Sequence, residues 1–296
     1  MAETLFSIII PHKNIPSLLQ RCLDSIPQRD DVQIIIVDDN SNPQNVDFEK
    51  FPGLDKPNTE VYFDKSNKGA GRARNIGLKH ARGEWLLFAD ADDQYEKGIN
   101  TILEELKNEQ SDLVFYNVIS KDSETQIIND EAKRFSNIVA GNYENIRYKL
   151  LMPWAKAVRK SLVDNCHIRF EEIACSNDTF FSAMCDYYAK NYSVIPIIGY
   201  CWMTREGSLS RKNDIRLKKQ RFKVNLRIAR FMKTHEDTVG YSEFLQVTNT
   251  YLEILEHEKN KRHYLKALLK IGWTLNKPKY IFITFPHKVI QYFLSL

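Results

Sequence analysis

The chain has 296 residues, room for one large domain or two modest ones around a sizeable core. Hydrophobic residues make up 43% and charged residues 27%, which excludes a disordered chain, a collagen-like repeat and a disulfide scaffold. The net charge of +4 hides an asymmetry: residues 1–210 carry 24 Lys and Arg against 31 Asp and Glu, a net of −7, while residues 211–296 carry 18 against 7, a net of +11. Such an asymmetry marks two parts with different partners and a boundary near residue 210. No apolar run approaches ~18 residues, so no membrane-spanning helix is expected. The first residues lack a basic stretch followed by an apolar one, so no secretory signal is expected. The five cysteines form no C-x-x-C pair and read as reduced thiols in a cytoplasm-like compartment.

In chain order, Leu5–Ile10 is a short β-branched run suited to a buried parallel strand. Asn14 is placed to cap a following helix that bears Leu18, Leu19, Cys22, Leu23 and Ile26 on one face and ends at Pro27. Gln33–Val37 is a second buried strand, running into the polar turn Asp38–Pro43. A strand at Thr59–Phe63, a helix at Gly69–Ala81 and a strand at Trp85–Ala89 follow. Next come Asp90-Ala91-Asp92-Asp93, a helix to about Asn108 and a strand at Leu113–Tyr116. Residues 118–200 are mixed: a hairpin over Ser123–Ala140, a helix over Asp178–Ala189 with Phe181, Met184 and Cys185 inward, and a strand at Val194–Tyr200. Beyond Arg211 the pattern turns helical, over roughly Asn213–His235, Tyr241–Glu258 and Lys261–Leu275.

Strand–helix–strand order with short connections predicts an α/β fold with an open, mostly parallel sheet flanked by helices. Ligands bind such sheets beyond the carboxyl ends of the strands. Those ends carry His12–Asn14, Asp38-Asp39 and Asp90–Asp93, so three polar clusters should converge on one edge.

Each cluster has a structural and a chemical reading. Asp90 and Asp92 can hold a hard cation such as magnesium or manganese, whereas a helix cap would need Asp93 alone; three carboxylates exceed what a cap requires. Asp38-Asp39 can accept from a ribose or a base edge, or build an Asx turn. In Asn67–Asn75, Gly69 and Gly71 permit close backbone approach, and Arg72 and Arg74 can face phosphate; the alternative is a loop and a solvated basic helix face. Asp178, behind Asn177, opens a helix, and pattern alone makes it a cap. Arg205-Glu206-Gly207-Ser208 reads as a turn whose arginine can reach phosphate.

Taken together, SIIIPHKN (7–14), IIIVDDNS (34–41), NKGAGRARNIGLKHARGEWLLFADADD (67–93), PWAKAVRKSLV…IRFEE…NDTFF (153–181) and REGSLS (205–210) resemble bacterial family 2 glycosyltransferases of the GT-A fold, over residues 1–210. The resemblance implies a Rossmann-like GT-A domain with a helical appendage at 211–296. It implies a non-processive, inverting, metal-dependent transferase moving a sugar from a nucleotide-diphosphate donor, a UDP-sugar foremost, to a saccharide or polyprenyl-linked saccharide acceptor in surface-polysaccharide assembly. It assigns Asp178 as catalytic base and Asp92, with Asp90, as ligands of a divalent manganese or magnesium ion. Pro11, His12, Asn14, Asp39, Asn67, Gly71, Arg74, Asp90, Ala91, Trp154, Lys156, Arg205 and Ser208 become donor-site positions, with Asp39 on the uracil or ribose side and Arg205 and Ser208 in a loop over the diphosphate. Two positions depart from the family: His12 replaces an aromatic or hydroxyl residue, and Asn177 replaces the Glu before the base. The Q-x-x-R-W motif of processive synthases is absent.

The basic part ends in Trp273, Tyr280, Phe282, Phe285, Tyr292 and Phe293 among cations. That mixture suits an anionic membrane surface on the cytoplasmic side; a helical cap or a homodimer interface are the alternatives, and no nucleic acid is expected. Two other functions stay in view: a non-catalytic nucleotide-sugar-binding protein, and a sugar-1-phosphate nucleotidyltransferase, whose Gly-rich loop after the first strand is missing.

Overall fold

The β-branched runs become the strands of one sheet in the computed structural model, which describes residues 3–141, 146–205 and 214–244. The strands are β1 (Phe6–His12), β2 (Val32–Asp39), β3 (Thr59–Asp64), β4 (Trp85–Phe88), β5 (Gln94–Tyr95), β6 (Leu113–Asp122), β7 (Ile128–Asn129), β8 (Lys156–Arg159) and β9 (Tyr192–Thr204). The helices between them are α1 (Pro16–Ser25), α2 (Ala70–His80), α3 (Ile99–Leu106), α4 (Lys133–Gly141), α5 (Lys160–Asn165) and α6 (Thr179–Tyr188). The sheet order is β3-β2-β1-β4-β8-β6-β9-β5, with β7 added to β6.

Pairing directions divide the sheet. β3, β2, β1 and β4 are parallel throughout, and β6 pairs parallel with β9. The short β8 lies antiparallel between β4 and β6, and β5 and β7 are also antiparallel to their partners. Six strands therefore share one direction, as a mostly parallel sheet requires. β1 and β2 are buried along their whole length, as expected of central strands covered on both faces. Because the chain steps from β1 outward to β2 on one side and later to β4 on the other, the order reverses at β1, and the carboxyl ends of β1, β2 and β4 lie side by side.

Several elements depart from the sequence-based expectations. Residue 14 does not cap α1: the N-cap is Ile15, without a side-chain bond, and Pro16 opens the helix. The region Ser123–Ala140 is a tight β6–β7 turn followed by α4 rather than a full hairpin. Asp122 Oδ1 accepts from the amides of Glu124 and Thr125, which closes the turn. Helical spacing then turns Val139 into the core and Phe135 onto Trp154. β9 is longer than expected and carries Pro196 in mid-strand; a proline cannot donate to the ladder, and the β6–β9 register shifts there, between Tyr116↔Ile195 and Asn117↔Ile198.

The chain divides into two compact units, Met1–Lys212 and Asn213–Leu296. In the second, Asp214 caps α7 (Ile215–Thr234) by accepting from the Arg216 amide, and α8 (Thr238–Phe244) follows. Along α7, Phe222, Val224, Ile228, Ala229 and Met232 are buried, while Lys223, Arg227 and Arg230 are exposed. No helix among the described residues is long and apolar enough to cross a membrane. Beyond residue 244 the expected helices and the aromatic end lie outside the described residues.

Candidate active site

The carboxyl ends of β1 and β2 are knitted together by side chains. His12 and Asp38, both buried, meet at 2.8 Å through Nδ1 and Oδ1. The Ile15 amide donates to His12 Nε2, which leaves Nδ1–H to donate to Asp38. Asp38 also accepts from the Ser41 amide (2.9 Å) and hydroxyl. Burial alone would raise the Asp38 carboxyl, but the bonds from His12 and Ser41 outweigh it and hold the group below the usual carboxylate range. His12 thus has both ring nitrogens committed within the protein. The expected Asx turn is built by Asp38, which separates its role from that of Asp39.

Asp39 reaches sideways instead. Both its oxygens accept from the Gly69 amide at 3.1 Å, and Oδ2 accepts from Lys13 Nζ at 3.2 Å. Lys13 also donates to Asn67. Gly69, at φ +87°, is the N-cap of α2, so its left-handed backbone turns the amide toward Asp39. Asn14, at φ +59°, accepts from the Asn42 amide through Oδ1, and its own amide donates to Ser41 Oγ. Pro11 is buried within β1.

The glycine–arginine segment serves chiefly to seat α2 against residues 168–178. A Cβ on Gly71 would lie 2.0 Å from the Glu171 carbonyl oxygen, so the close approach expected there is made by the chain itself. Asn75 exchanges two bonds with the Phe170 backbone, at 2.9 Å each. Buried Arg74 donates to Asp90 and to Asn177 Oδ1 (2.7 Å), and its guanidinium lies 5.4 Å from the Phe170 ring centroid. Phe170 in turn stacks on Phe181 at 3.9 Å. The departure at Asn177 therefore gives Arg74 a neutral acceptor in place of a second carboxylate.

Beyond β4, the carboxylates of Asp90, Asp92 and Asp93 take separate roles. Asp93 is fully committed: it accepts from the Tyr200 hydroxyl (2.8 Å) and the Met203 amide (2.7 Å), and Tyr200 Oη accepts from the Asp90 amide (3.0 Å). Asp92 is partly exposed and accepts from Arg205 Nε and Nη2 at 3.0 and 2.9 Å. Arg21, on α1, donates to the Asp92 carbonyl and to Ser123. Burial first, and then the neighbouring Asp90 charge, push the Asp92 carboxyl up. Ala91 is buried between them.

Asp178 is the N-cap residue of α6 by position, yet its side chain makes no capping bond. Burial raises its carboxyl, Arg74 opposes that, and the charge on Asp90 adds to the rise. Its carboxylate thus feels the Arg74–Asp90 pair, and its one bond from the helix is a long one from the Thr179 hydroxyl, 3.5 Å.

Two expected donor-site side chains sit deeper. Trp154, in a 3-10 turn before β8, stacks on Tyr200 at 5.0 Å. Lys156 has no exposed surface to offer a donor: Nζ donates to Asp186 Oδ1 at 2.8 Å and lies 4.9 Å from the Phe115 ring centroid. Ser208 lies outside the described residues.

Among the described residues no three His, Cys, Asp or Glu side chains form a ready-made metal cage. Asp90 and Asp92 nevertheless offer the carboxylate oxygens that hard cations prefer, and a magnesium-type site takes one or two carboxylates and completes its shell with phosphate oxygens and water. This pair of partly exposed, neighbouring carboxylates fits that chemistry.

A mostly parallel α/β sheet with its carboxylates gathered at a switch point is the usual setting for a ligand site, and solved structures place the fold as GT-A. The structure matches S. aureus TarS 1–349 in complex with UDP-GlcNAc at a TM-score of 0.72 and 23% identity, over 92% of this chain and 81% of that one. The Pyrobaculum calidifontis mannosyltransferase PcManGT, in complex with GDP-Man and Mn2+, matches at 0.53 and 15% identity, over 96% and 75%. Glycosyltransferase GlyA of Streptococcus pneumoniae is 24% identical over 228 residues, 71% of this chain and 32% of the relative. The minor teichoic acid biosynthesis protein GgaB of Bacillus subtilis is 24% identical over 326 aligned positions, 94% of this chain and 36% of the relative. The chain thus spans about a third of the length of these two curated relatives. The family model for glycosyl transferase family 2 matches residues 7–169. The chain belongs to glycosyltransferase family 2.

Proposed function

We propose that this chain transfers a sugar from a UDP-sugar donor to a hydroxyl of a saccharide or lipid-linked acceptor in bacterial surface-polymer assembly, with inversion at the anomeric carbon. The observation that carries the reading is Asp178: a carboxyl at a helix start that caps nothing, has its acidity lowered by burial, and shares its surroundings with Arg74 and Asp90. Support for the donor class comes from the UDP-GlcNAc bound in the TarS structure. Support for the setting comes from the teichoic acid role in the name of GgaB.

In this mechanism Asp39, Asn14 and the Gly69 amide border the nucleoside. Asp90 and Asp92 would hold a divalent manganese or magnesium ion, which supplies positive charge to the departing diphosphate. Arg74 fixes Asp90 in place by donating to its carboxylate. Asp178 takes the proton from the acceptor hydroxyl while that oxygen attacks the anomeric carbon opposite the diphosphate. The new glycosidic bond forms as the bond to the diphosphate oxygen breaks.

A donor screen tests the reading by following released nucleotide diphosphate from UDP- and GDP-sugars, with manganese and with chelator. Release from a UDP-sugar that stops on chelation is expected; no release from any donor overturns it.

The basic unit is assigned to an anionic membrane surface at the cytoplasmic face, supported by the exposed Lys223, Arg227 and Arg230 of α7 and by the aromatic–cationic pattern of residues 277–293. Flotation with anionic vesicles should be stronger for the full chain than for residues 1–275. Equal flotation removes that assignment.

A further inference from the structure

Each of the two carboxylates assigned to the cation already has an arginine, and the two arginines are held very differently. Arg74 is buried, donates to both Asp90 and Asn177, and rests over the Phe170 ring, which is itself stacked on Phe181. It cannot leave Asp90 without unpacking α2. Arg205 is more than a third exposed at its side chain and turns both Nε and Nη2 onto one oxygen, Oδ2, of Asp92. It stands one residue past the end of β9, whose Tyr200 hydroxyl and Met203 amide hold Asp93. The carboxylate loop and the arginine are therefore tied to the same strand end. Arg205 can swing away while the loop stays in place.

We propose that Arg205 is a placeholder counter-ion for Asp92, displaced when a divalent cation binds there. The inference rests on the metal reading given above. Asp92 sits beside Asp90 in a partly desolvated loop, and without a positive neighbour the second charge would stand uncompensated. In the absence of donor the guanidinium supplies that charge. A divalent cation on Asp92 needs the same oxygen, so the two compete. The displaced Arg205 would then be free to meet the donor's diphosphate, whose phosphate oxygens suit its flat array of donors. Cation and donor thus favour each other's binding: each removes part of the cost of breaking the Arg205–Asp92 pair. Arg74 has no such role, because its partners fix it.

Manganese binding, followed by the loss of free Mn2+ signal in electron paramagnetic resonance, tests this without turnover. It is measured with and without UDP for the wild-type protein, Arg205→Gln and Arg205→Lys. Removing the competitor should tighten Mn2+ binding about tenfold or more in the absence of UDP, and should shrink the tightening that UDP produces. Arg205→Lys keeps a charge but loses the two-pronged contact, and should fall between. Equal or weaker Mn2+ affinity of Arg205→Gln without UDP overturns the placeholder role. Failure of all three proteins to bind Mn2+, with or without UDP, overturns the metal reading itself and the placeholder role with it. Circular dichroism of the variants confirms that the sheet is intact, and Asp92→Asn should abolish the Arg205 dependence altogether.

Discussion

The two halves of the sheet build the site by different means. In the parallel half, β3-β2-β1-β4, the polar residues sit at adjacent strand ends and bond directly across: His12 to Asp38, Lys13 and Gly69 to Asp39, Asn14 to Asn42. In the mixed half, the groups that matter arrive from far along the chain. Asp178 comes at the start of α6, Tyr200 on β9 and Arg205 just past its end; the last two bond to the residue 90–93 loop over roughly a hundred positions of sequence, and Asp178 feels the Asp90 charge. On the proposed reading, the first half forms the donor cradle and the second brings the base to it. Substitutions should therefore separate binding from turnover according to the half they touch.

The largest effect is expected in the mixed half. Asp178→Asn should lower turnover by about 10²–10⁴-fold, the usual worth of a positioned base, while donor affinity changes little; isothermal titration beside released-nucleotide kinetics checks both. Because burial raises the Asp178 carboxyl, the wild-type rate should fall with decreasing pH through a value above the ordinary carboxylate range, as the base becomes protonated. That limb should vanish in the variant's residual rate. A mutant that turns over like wild type dissolves the division between the halves.

Next is Lys156→Met, also in the mixed half. It leaves the buried Asp186 carboxyl facing the Tyr148 amide without its cation. Breaking a buried pair from one side costs about 3–5 kcal/mol, measurable by denaturant titration. Since Asp186 sits two turns after Asp178 on the same helix, turnover should drop with stability while donor affinity in the surviving fold holds.

The smallest effect belongs to the parallel half. Asp39→Asn weakens charge-assisted bonds worth about 1.5–3 kcal/mol, and should raise the donor dissociation constant about tenfold or more with little change in maximal rate. Loss of turnover at saturating donor would show that the cradle also takes part in chemistry.

This division also explains what could be read from the sequence. The strands at Leu5–Ile10, Gln33–Val37 and Trp85–Ala89 announce themselves by composition, and their parallel order follows from the alternation with helices. The meeting of His12–Asn14, Asp38-Asp39 and Asp90–Asp93 follows from that order alone. Asp178 is a cap by local pattern; only the absence of a capping bond and its neighbours Arg74 and Asp90 separate it from one. Arg21, Asn75 and Tyr200 carried no local signal, because each acts on backbone or carboxyl groups that only the folded topology brings near. Lys156 was misleading for the same reason: its partner Asp186 is thirty residues away, and nothing in the sequence says that the ammonium points inward.

The short β8 has one more consequence, for the order in which the molecule acquires its shape. β1 to β4 can pair while only about the first ninety residues are in place, but β8 must return to β4 from residue 158 to residue 86, and β9 to β6 from residue 192 to residue 113. Closing such wide loops is slow relative to neighbour pairing. A growing chain would thus join the strand ends that carry His12 and Asp38 before Asp178 and Arg205 reach them, and pulse-labelled amide exchange should show β1 and β2 protected ahead of β8 and β9.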